Sequence, residues 1–348
     1  MKKTSLVLLL AFMLTGLVLA QEAEDQFDNP LPETAVEAPV FVGSEPSAGA
    51  FTVEAPRIGL RAGTESPWAT LDLGWDFSLP LLQGDFPLVG DNNLVLTPGI
   101  EVSPLSLGLT AAARWTPLAF ADLSFDATLA SGWSVGDFHG IGLNRDSHEG
   151  GTSTAFYDGS PFGGVIWDVA IALALYGDMG MLKPVWDGLP NGVAPIFIRS
   201  SHRFAFSGYS DAANRGEAWF RSGDDGENRD GFSYGGDLWL GYRLPVLLNS
   251  VALRACGDIF LNAPAGWDRR SMGDDLMRWG FSLVLGFNLL ENLDLSLETR
   301  FLETRREFRH SDDPGWGNVH FVNRTLKDAG SQRPAFGNVE LTATYRFW

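Results

Sequence analysis

The chain has 348 residues, a formal net charge of −18, one cysteine, 12 Trp, 24 Phe and 40 Gly. So acidic a chain, with no basic patch to offset it, excludes nucleic acid as a partner. A lone Cys256 excludes an internal disulfide framework and a zinc ribbon.

In chain order, Met1-Lys2-Lys3 leads into an apolar run over residues 6–20 that ends in Val18-Leu19-Ala20. A charged leader, a short apolar core and small residues at the end predict a cleaved signal peptide over 1–20. No cysteine lies near that cleavage site, which argues against a lipid anchor. Residues 21–50 hold seven acids, no bases and several prolines, which predicts a disordered leader. Beyond residue 20 no apolar run is long and clean enough for a membrane-spanning helix. An exported chain of this kind is periplasmic, secreted or a β-barrel.

Residues 51–348 alternate. "FTVEAPRIGL" (51–60) reads as an added strand or a plug segment. In "ATLDLGWDFSLPL", Leu71, Leu73, Trp75, Phe77 and Leu79 alternate with Asp72, Gly74, Asp76 and Ser78. Period two is the mark of a strand with one apolar and one polar face. "LSLGLTAAARW" and "ADLSFDATLASGW" repeat it, with Leu105 on the apolar parity. "VIWDVAIALALYGD" puts Val165, Trp167, Val169, Ile171, Leu173 and Leu175 on one face and Asp168 and alanines on the other, so it reads as strand rather than helix. "GFSYGGDLWLGYRL", "SVALRACGDIFL", "LMRWGFSLVLGFNLL", "NLDLSLETRFLETR" and the terminal "VELTATYRFW" continue the pattern. From residue 68 on, about twelve strands are predicted, with a range of ten to fourteen and a weak member at 217–222 ("EAWFRS"). A soluble sandwich also alternates, but its strands average five or six residues; these runs are long enough to cross a bilayer at a tilt. The segments 243–250 and 289–293 read as short turns, whereas 136–161, 209–229, 262–274 and 309–333 are long and polar.

The alternation over residues 68–348 resembles the bacterial outer-membrane β-barrel superfamily, porin-like in pattern. The most specific element is the last strand, with Val339, Leu341, Ala343, Tyr345 and Phe347 on one parity; Trp348 departs from the pattern by following the penultimate Phe347. The resemblance implies a single antiparallel transmembrane barrel, outer-membrane location in a diderm bacterium, and assembly by an Omp85-type insertase. The last strand is then expected to pair with the first, which removes both sheet edges.

If the apolar parity faces lipid, the pore-lining parity holds Asp72, Asp76, Glu101, Asp122, Asp126, Asp168, Asp237, Asp258, Asp294, Glu298 and Glu340 among the acids. Its bases are Arg114, Arg243, Arg254, Arg278, Arg300 and Arg346. Acidic early strands facing Arg-bearing later strands suggest a transverse field and a mild cation preference. The alternative is that these charges pair between neighbouring strands and fill a closed lumen. Trp75, Trp115, Trp133, Trp167, Trp279, Tyr345 and Phe347 are the expected membrane-interface aromatics.

Candidates for chemistry are few. "FIRSSHRF" offers Ser200, Ser201 and His202, but neighbours in a strand point to opposite faces, a poor arrangement for nucleophile and base. His139, His148, His310 and His320 lie in predicted loops without metal-ligand spacing. Asp224, Asp225, Glu227 and Asp230 cluster in "SGDDGENRDG" but depart from the calcium-loop pattern. Phe138, Phe156, Tyr157, Trp219 and Trp267 are loop aromatics suited either to a partner or to packing over the mouth. The sequence therefore predicts a non-enzymatic, cofactor-free passive channel for small polar or cationic solutes. A closed structural or adhesin barrel is the alternative, and an outer-membrane lipid hydrolase the third reading.

Overall fold

The computed structural model describes residues 51–64, 69–84, 89–90, 92–135, 138–144, 156–158, 161–182, 195–212, 219–221, 228–261, 276–306 and 332–347. The expected signal peptide, the acidic leader and Trp348 fall outside them.

Twelve wall strands form one closed antiparallel barrel. Two are interrupted: β1 comprises Thr52–Val53 and Arg57–Gly63, and β2 comprises Thr70–Gly74 and Phe77–Pro80. The others are β3 (Asn93–Ser103), β4 (Ser106–Leu118), β5 (Ala121–Gly132), β6 (Ile166–Asp178), β7 (Ile196–Tyr209) and β8 (Gly231–Arg243). The ring continues through β9 (Leu248–Phe260), β10 (Arg278–Leu290), β11 (Leu293–Arg306) and β12 (Val339–Arg346). Each pairs with its sequence neighbours. The ring closes between β12 and β1, with Leu60 opposite Ala343 and Ile58 opposite Tyr345.

The sum of twelve strands agrees with the sequence reading, but its membership does not. Residues 51–63 supply a wall strand, not a plug. The weak strand expected at 217–222 is absent from the wall: Trp219–Arg221 pairs with Ile141–Asn144, which also pairs with Phe156–Asp158, in a separate small sheet. Trp219 and Phe220 are both buried, so this stretch has no solvent-facing or wall-facing parity.

The two parities separate as the pattern requires. Leu60, Leu109, Phe125, Leu129, Ile171, Phe204, Leu240, Leu253 and Phe281 are exposed on the outer face. Residues of opposite parity point into the barrel, where their polar groups bond one another. Leu105 is a correction: it sits in the β3–β4 turn, only 2% exposed, with Gly132 and Gly140 packed so closely on its carbonyl that neither has room for a Cβ. The tight turns 119–120, 244–247 and 291–292 lie at one end of the barrel, the near end, where β1 starts and β12 stops; the 179–195 connection there is longer. The connections 133–165, 210–230, 261–277 and 307–338 all lie at the far end.

Closure is testable through the register. In a Cys256→Ser background, Leu60→Cys with Ala343→Cys should oxidise to a cross-link between first and last strands, because directly paired residues meet disulfide geometry. Leu60→Cys with Leu341→Cys, two residues out of register on the same face, should stay reduced. The reverse result, read by peptide mapping, would refute the seam.

Candidate functional site in the barrel interior

Most of the predicted pore-lining groups face inward, and most are already paired. Arg203 reaches Asp168 at 2.5 Å, Arg278 reaches Asp258 at 2.8 Å, and Arg346 reaches Asp294 at 2.7 Å, each on the adjacent strand. Arg243 pairs with Asp178 at 2.6 Å, Arg57 with Asp76 at 3.6 Å and Arg61 with Glu340 at 3.8 Å. The largest network crosses β8 to β11: Arg254 binds Glu298 at 3.0 Å and lies 3.7 Å from Asp237, while Arg300 lies 3.9 Å from Glu298 and 3.7 Å from Glu303. Arg254 must pass over β10 to do this. The intervening residue is Ser282, fully buried beneath the bridge, where a larger side chain would block the crossing.

This arrangement corrects the expected opposition of an acidic and a basic wall. Pairing runs between neighbouring strands. It also changes the inventory, because Arg57, Arg61, Arg199, Arg203 and Arg221 join the predicted bases and remove most of the acid excess. Asp122 faces inward but is buried, accepting hydrogen bonds from Thr116 at 2.6 Å and Tyr176 at 3.2 Å. Asp126 takes a hydrogen bond from Ser124 at 3.3 Å. Arg114 makes no ion pair among the described residues and faces inward from β4 opposite Ser124.

The far-end mouth is narrowed from within. The small sheet packs on the inner wall through Ile141, Leu143 and Trp219, which bury against Ala130 of β5, Ile166 of β6 and Tyr209 of β7. Its anchor on the opposite flank is electrostatic. Asp72 and Glu101 stand directly opposite each other on β2 and β3, a like-charge pair that is unfavourable alone. Arg221 from the small sheet makes a close ion pair with Glu101 and relieves it. Asp230, from the acidic cluster that departs from the calcium-loop pattern, accepts hydrogen bonds from the Tyr209 amide at 2.9 Å and the Trp219 indole at 3.2 Å. Trp219 is thus packed into the mouth and is not offered to a partner. Among the described residues no cluster of His, Cys, Asp and Glu has metal-holding geometry. Asp224, Asp225, Glu227, His148, His310, His320 and Trp267 lie outside the described residues. His139 and Phe138, and Phe156 and Tyr157, lie in two short strands at this mouth.

The expected interface aromatics divide by position. Trp167 and Trp279 lie on the outer face near the far end; Trp167 packs on Phe206 at 4.9 Å, over Gly208. Trp115 is near the other end of β4, and there Tyr345 meets Phe347 edge-on at 5.3 Å. Trp133 follows β5 and tilts against Phe162 at 5.0 Å. Trp75 is the exception: it sits mid-wall at the interruption of β2, its amide bonded to the Pro98 carbonyl.

One constellation lies outside the barrel. Ser201 points inward to Asp237 at 2.8 Å, but Ser200 and His202, two residues apart, share the outer face. Ser200 Oγ is 3.3 Å from His202 Nε2, and Tyr234 Oη is 2.7 Å from His202 Nδ1. Gly236 makes this possible, since a Cβ there would lie 3.0 Å from the Tyr234 oxygen. The sequence reading weighed the adjacent Ser201–His202 pair and so missed the same-face one. No backbone N–H of the paired strands is free to stabilise an oxyanion there.

No family model and no curated protein matches the chain. Among solved structures it is similar to the NanC porin, with 7% identity, 84% of this chain and 100% of that chain covered, and a TM-score of 0.37. A second is the β domain of the Bordetella autotransporter BrkA: 11% identity, 85% and 99% covered, TM-score 0.39. A third is an outer membrane channel from Pseudomonas putida F1: 14% identity, 87% and 99% covered, TM-score 0.36. At these identities the fold assignment rests on the strand register of this chain itself.

The β8–β11 network should behave as a unit. Arg254→Gln and Glu298→Gln are each expected to destabilise the barrel by about 1–3 kcal/mol, with a coupling of about 1 kcal/mol in the double variant. Urea unfolding of detergent-folded protein measures it; additive effects would refute the network.

Proposed function

We propose that the chain is an outer-membrane barrel through which small polar solutes pass passively. The observation that carries this is a closed twelve-strand ring with an apolar exterior and a charged interior. A ring with no free edge is the β-structure that satisfies every backbone group in hydrocarbon. The exterior supports contact with lipid, and the aromatics at the two ends of the wall support an interfacial belt. Export through the 1–20 signal sequence and insertion by an Omp85-type machinery complete the reading. The near neutrality of the interior favours general polar passage; the mild cation preference rests on Asp72 and Asp126, which make no ion pair among the described residues. Ser200 and His202 do not make the barrel a lipid hydrolase in this reading, because an oxyanion site is missing beside them.

The inner sheet favours a second reading, in which the far-end mouth is occluded and the barrel serves as a structural or binding scaffold. The two readings separate in a planar bilayer. Refolded protein should give discrete conductance steps, and Asp72→Lys should shift the reversal potential in a salt gradient toward anion permeation. Arg221→Gln, which loosens the inner sheet from Glu101, should enlarge the steps. A folded, heat-modifiable and silent protein, silent also as Arg221→Gln, would refute the channel. The exterior has its own test: Leu253→Arg, mid-strand on the outer face, should cost about 2–4 kcal/mol in lipid vesicles. Cost-free substitution would argue against lipid contact at that face.

A further inference from the structure

Around the inner face of six consecutive strands one row of residues runs in register. Tyr176 of β6 stands opposite Arg199 of β7, Arg199 opposite Trp239 of β8, and Trp239 opposite Arg254 of β9. Arg254 then faces Ser282 of β10, and Ser282 faces Arg300 of β11. Rings and guanidiniums alternate from β6 to β9. Arg199 Cζ lies 5.5 Å from the Tyr176 ring centre and 5.8 Å from the Trp239 ring centre, and Arg254 Cζ lies 5.2 Å from the same Trp239 ring. Trp239 is fixed at one edge by donating from Nε1 to Asp237 at 2.5 Å. It packs on a buried apolar base of Phe197, Ala252 and Val284.

The three guanidiniums of the row differ in what neutralises them. Arg254 and Arg300 hold carboxylates, Glu298 between them. Arg199 has no carboxylate among the described residues; its Nε, like those of Arg254 and Arg300, is buried without a hydrogen-bond partner, so the missing carboxylate is what sets it apart. The nearby acids are engaged elsewhere: Asp122 by Thr116 and Tyr176, Asp178 by Arg243. Two ring faces stabilise the charge of Arg199 through cation–π attraction. Ring faces do not accept its in-plane N–H donors, which form a fork matched to a carboxylate. A fork braced by a ring on each side, with its Nε buried and no carboxylate on it among the described residues, has lost much of its mobility before any ligand arrives, so less ordering entropy opposes binding.

We propose that Arg199, braced between Tyr176 and Trp239, is a binding site for small organic carboxylates within the lumen. The proposal rests on the channel reading for the ligand's access and adds to it a solute class opposite in charge to the one the acid excess suggests. The apolar surface of Trp239 and its base favours a carboxylate carried on an apolar ring over a small hydrated anion.

Benzoate is the probe, applied in two measurements on the refolded full chain. In the bilayer, benzoate should block potassium chloride current in a saturable way. In detergent, calorimetric titration should give the same affinity without any need for conduction. Arg199→Gln should weaken benzoate by about tenfold or more, the scale of a lost charge-assisted hydrogen bond. Arg199→Lys should retain some of the affinity, and Arg61→Gln, an equal charge change on β1, should leave it within about twofold. A protein silent both as it stands and as Arg221→Gln, which binds benzoate in detergent and loses it in Arg199→Gln, would refute the channel and keep the site. A conducting protein that neither binds nor is blocked would overturn the site and keep the channel. Equal effects of Arg199→Gln and Arg61→Gln, or phosphate binding as tightly as benzoate, would also overturn it. Where Arg199→Gln fails to fold, Arg199→Lys decides: full affinity against the expected partial loss overturns the fork.

Discussion

Every wall strand depends on its neighbours for the pairing of its backbone, and a ring is the arrangement in which none is left without one. The other features follow from that constraint. Once β12 pairs with β1, each strand must show one parity outward and one inward along its whole length. The outward set can then be largely apolar, with Ser200 and His202 as exceptions, while the inward set collects nearly all the charge. Position relative to the ring, more than local propensity, decides what each residue type does here. Alanines that would suit a helix line the inside of β6, where their small size leaves room for side chains from β5 and β7.

The interior solves the problem of many charges in a confined space by neutralising them locally. Arg346 with Asp294, Arg278 with Asp258 and Arg203 with Asp168 are all settled between adjacent strands. Where a strand carries like charges opposite its neighbour, as at Asp72 and Glu101, a base arrives from the inner sheet instead. Such pairing fixes side chains and costs desolvation, so its value lies in shape as much as in stability. What stands out in such an interior is a charge with no ion pair among the described residues, and Arg199, held between two rings, is such a charge.

The period-two pattern made the barrel, its strand length and its arrangement of short and long connections readable from the chain alone. The strand number came out at twelve through two compensating misassignments. Trp219-Phe220-Arg221 is too short for periodicity to tell a wall strand from a small sheet inside the mouth, and both its bulky residues are buried. The first wall strand was obscured by Pro56 and by its break. Within the interior, parity gave the acids an inward direction, but it missed the bases of β7, Arg199 and Arg203. "FIRSSHRF" carries polar residues on both parities because Ser200 and His202 face outward, so alternation there gives no direction. Ion-pair partners and the row through Trp239 depend on register between strands, which one sequence does not encode locally.

The breaks in β1 and β2 make the ring uneven. The ladder between β1 and β2 comes in two pieces, five residue pairs from Arg57–Gly74 to Arg61–Thr70 and two from Thr52–Ser78 to Val53–Phe77. The seam between β12 and β1 has seven, whereas β6 and β7 share thirteen without a break. Hydrogen-bonded length sets how much must be broken to separate neighbouring strands, so the barrel's mechanical weak point lies at and beside its own seam. Thermal opening is expected to concentrate there, and amide hydrogens of β1 and β2 should exchange through local separation before those of β6 to β9 exchange through global unfolding.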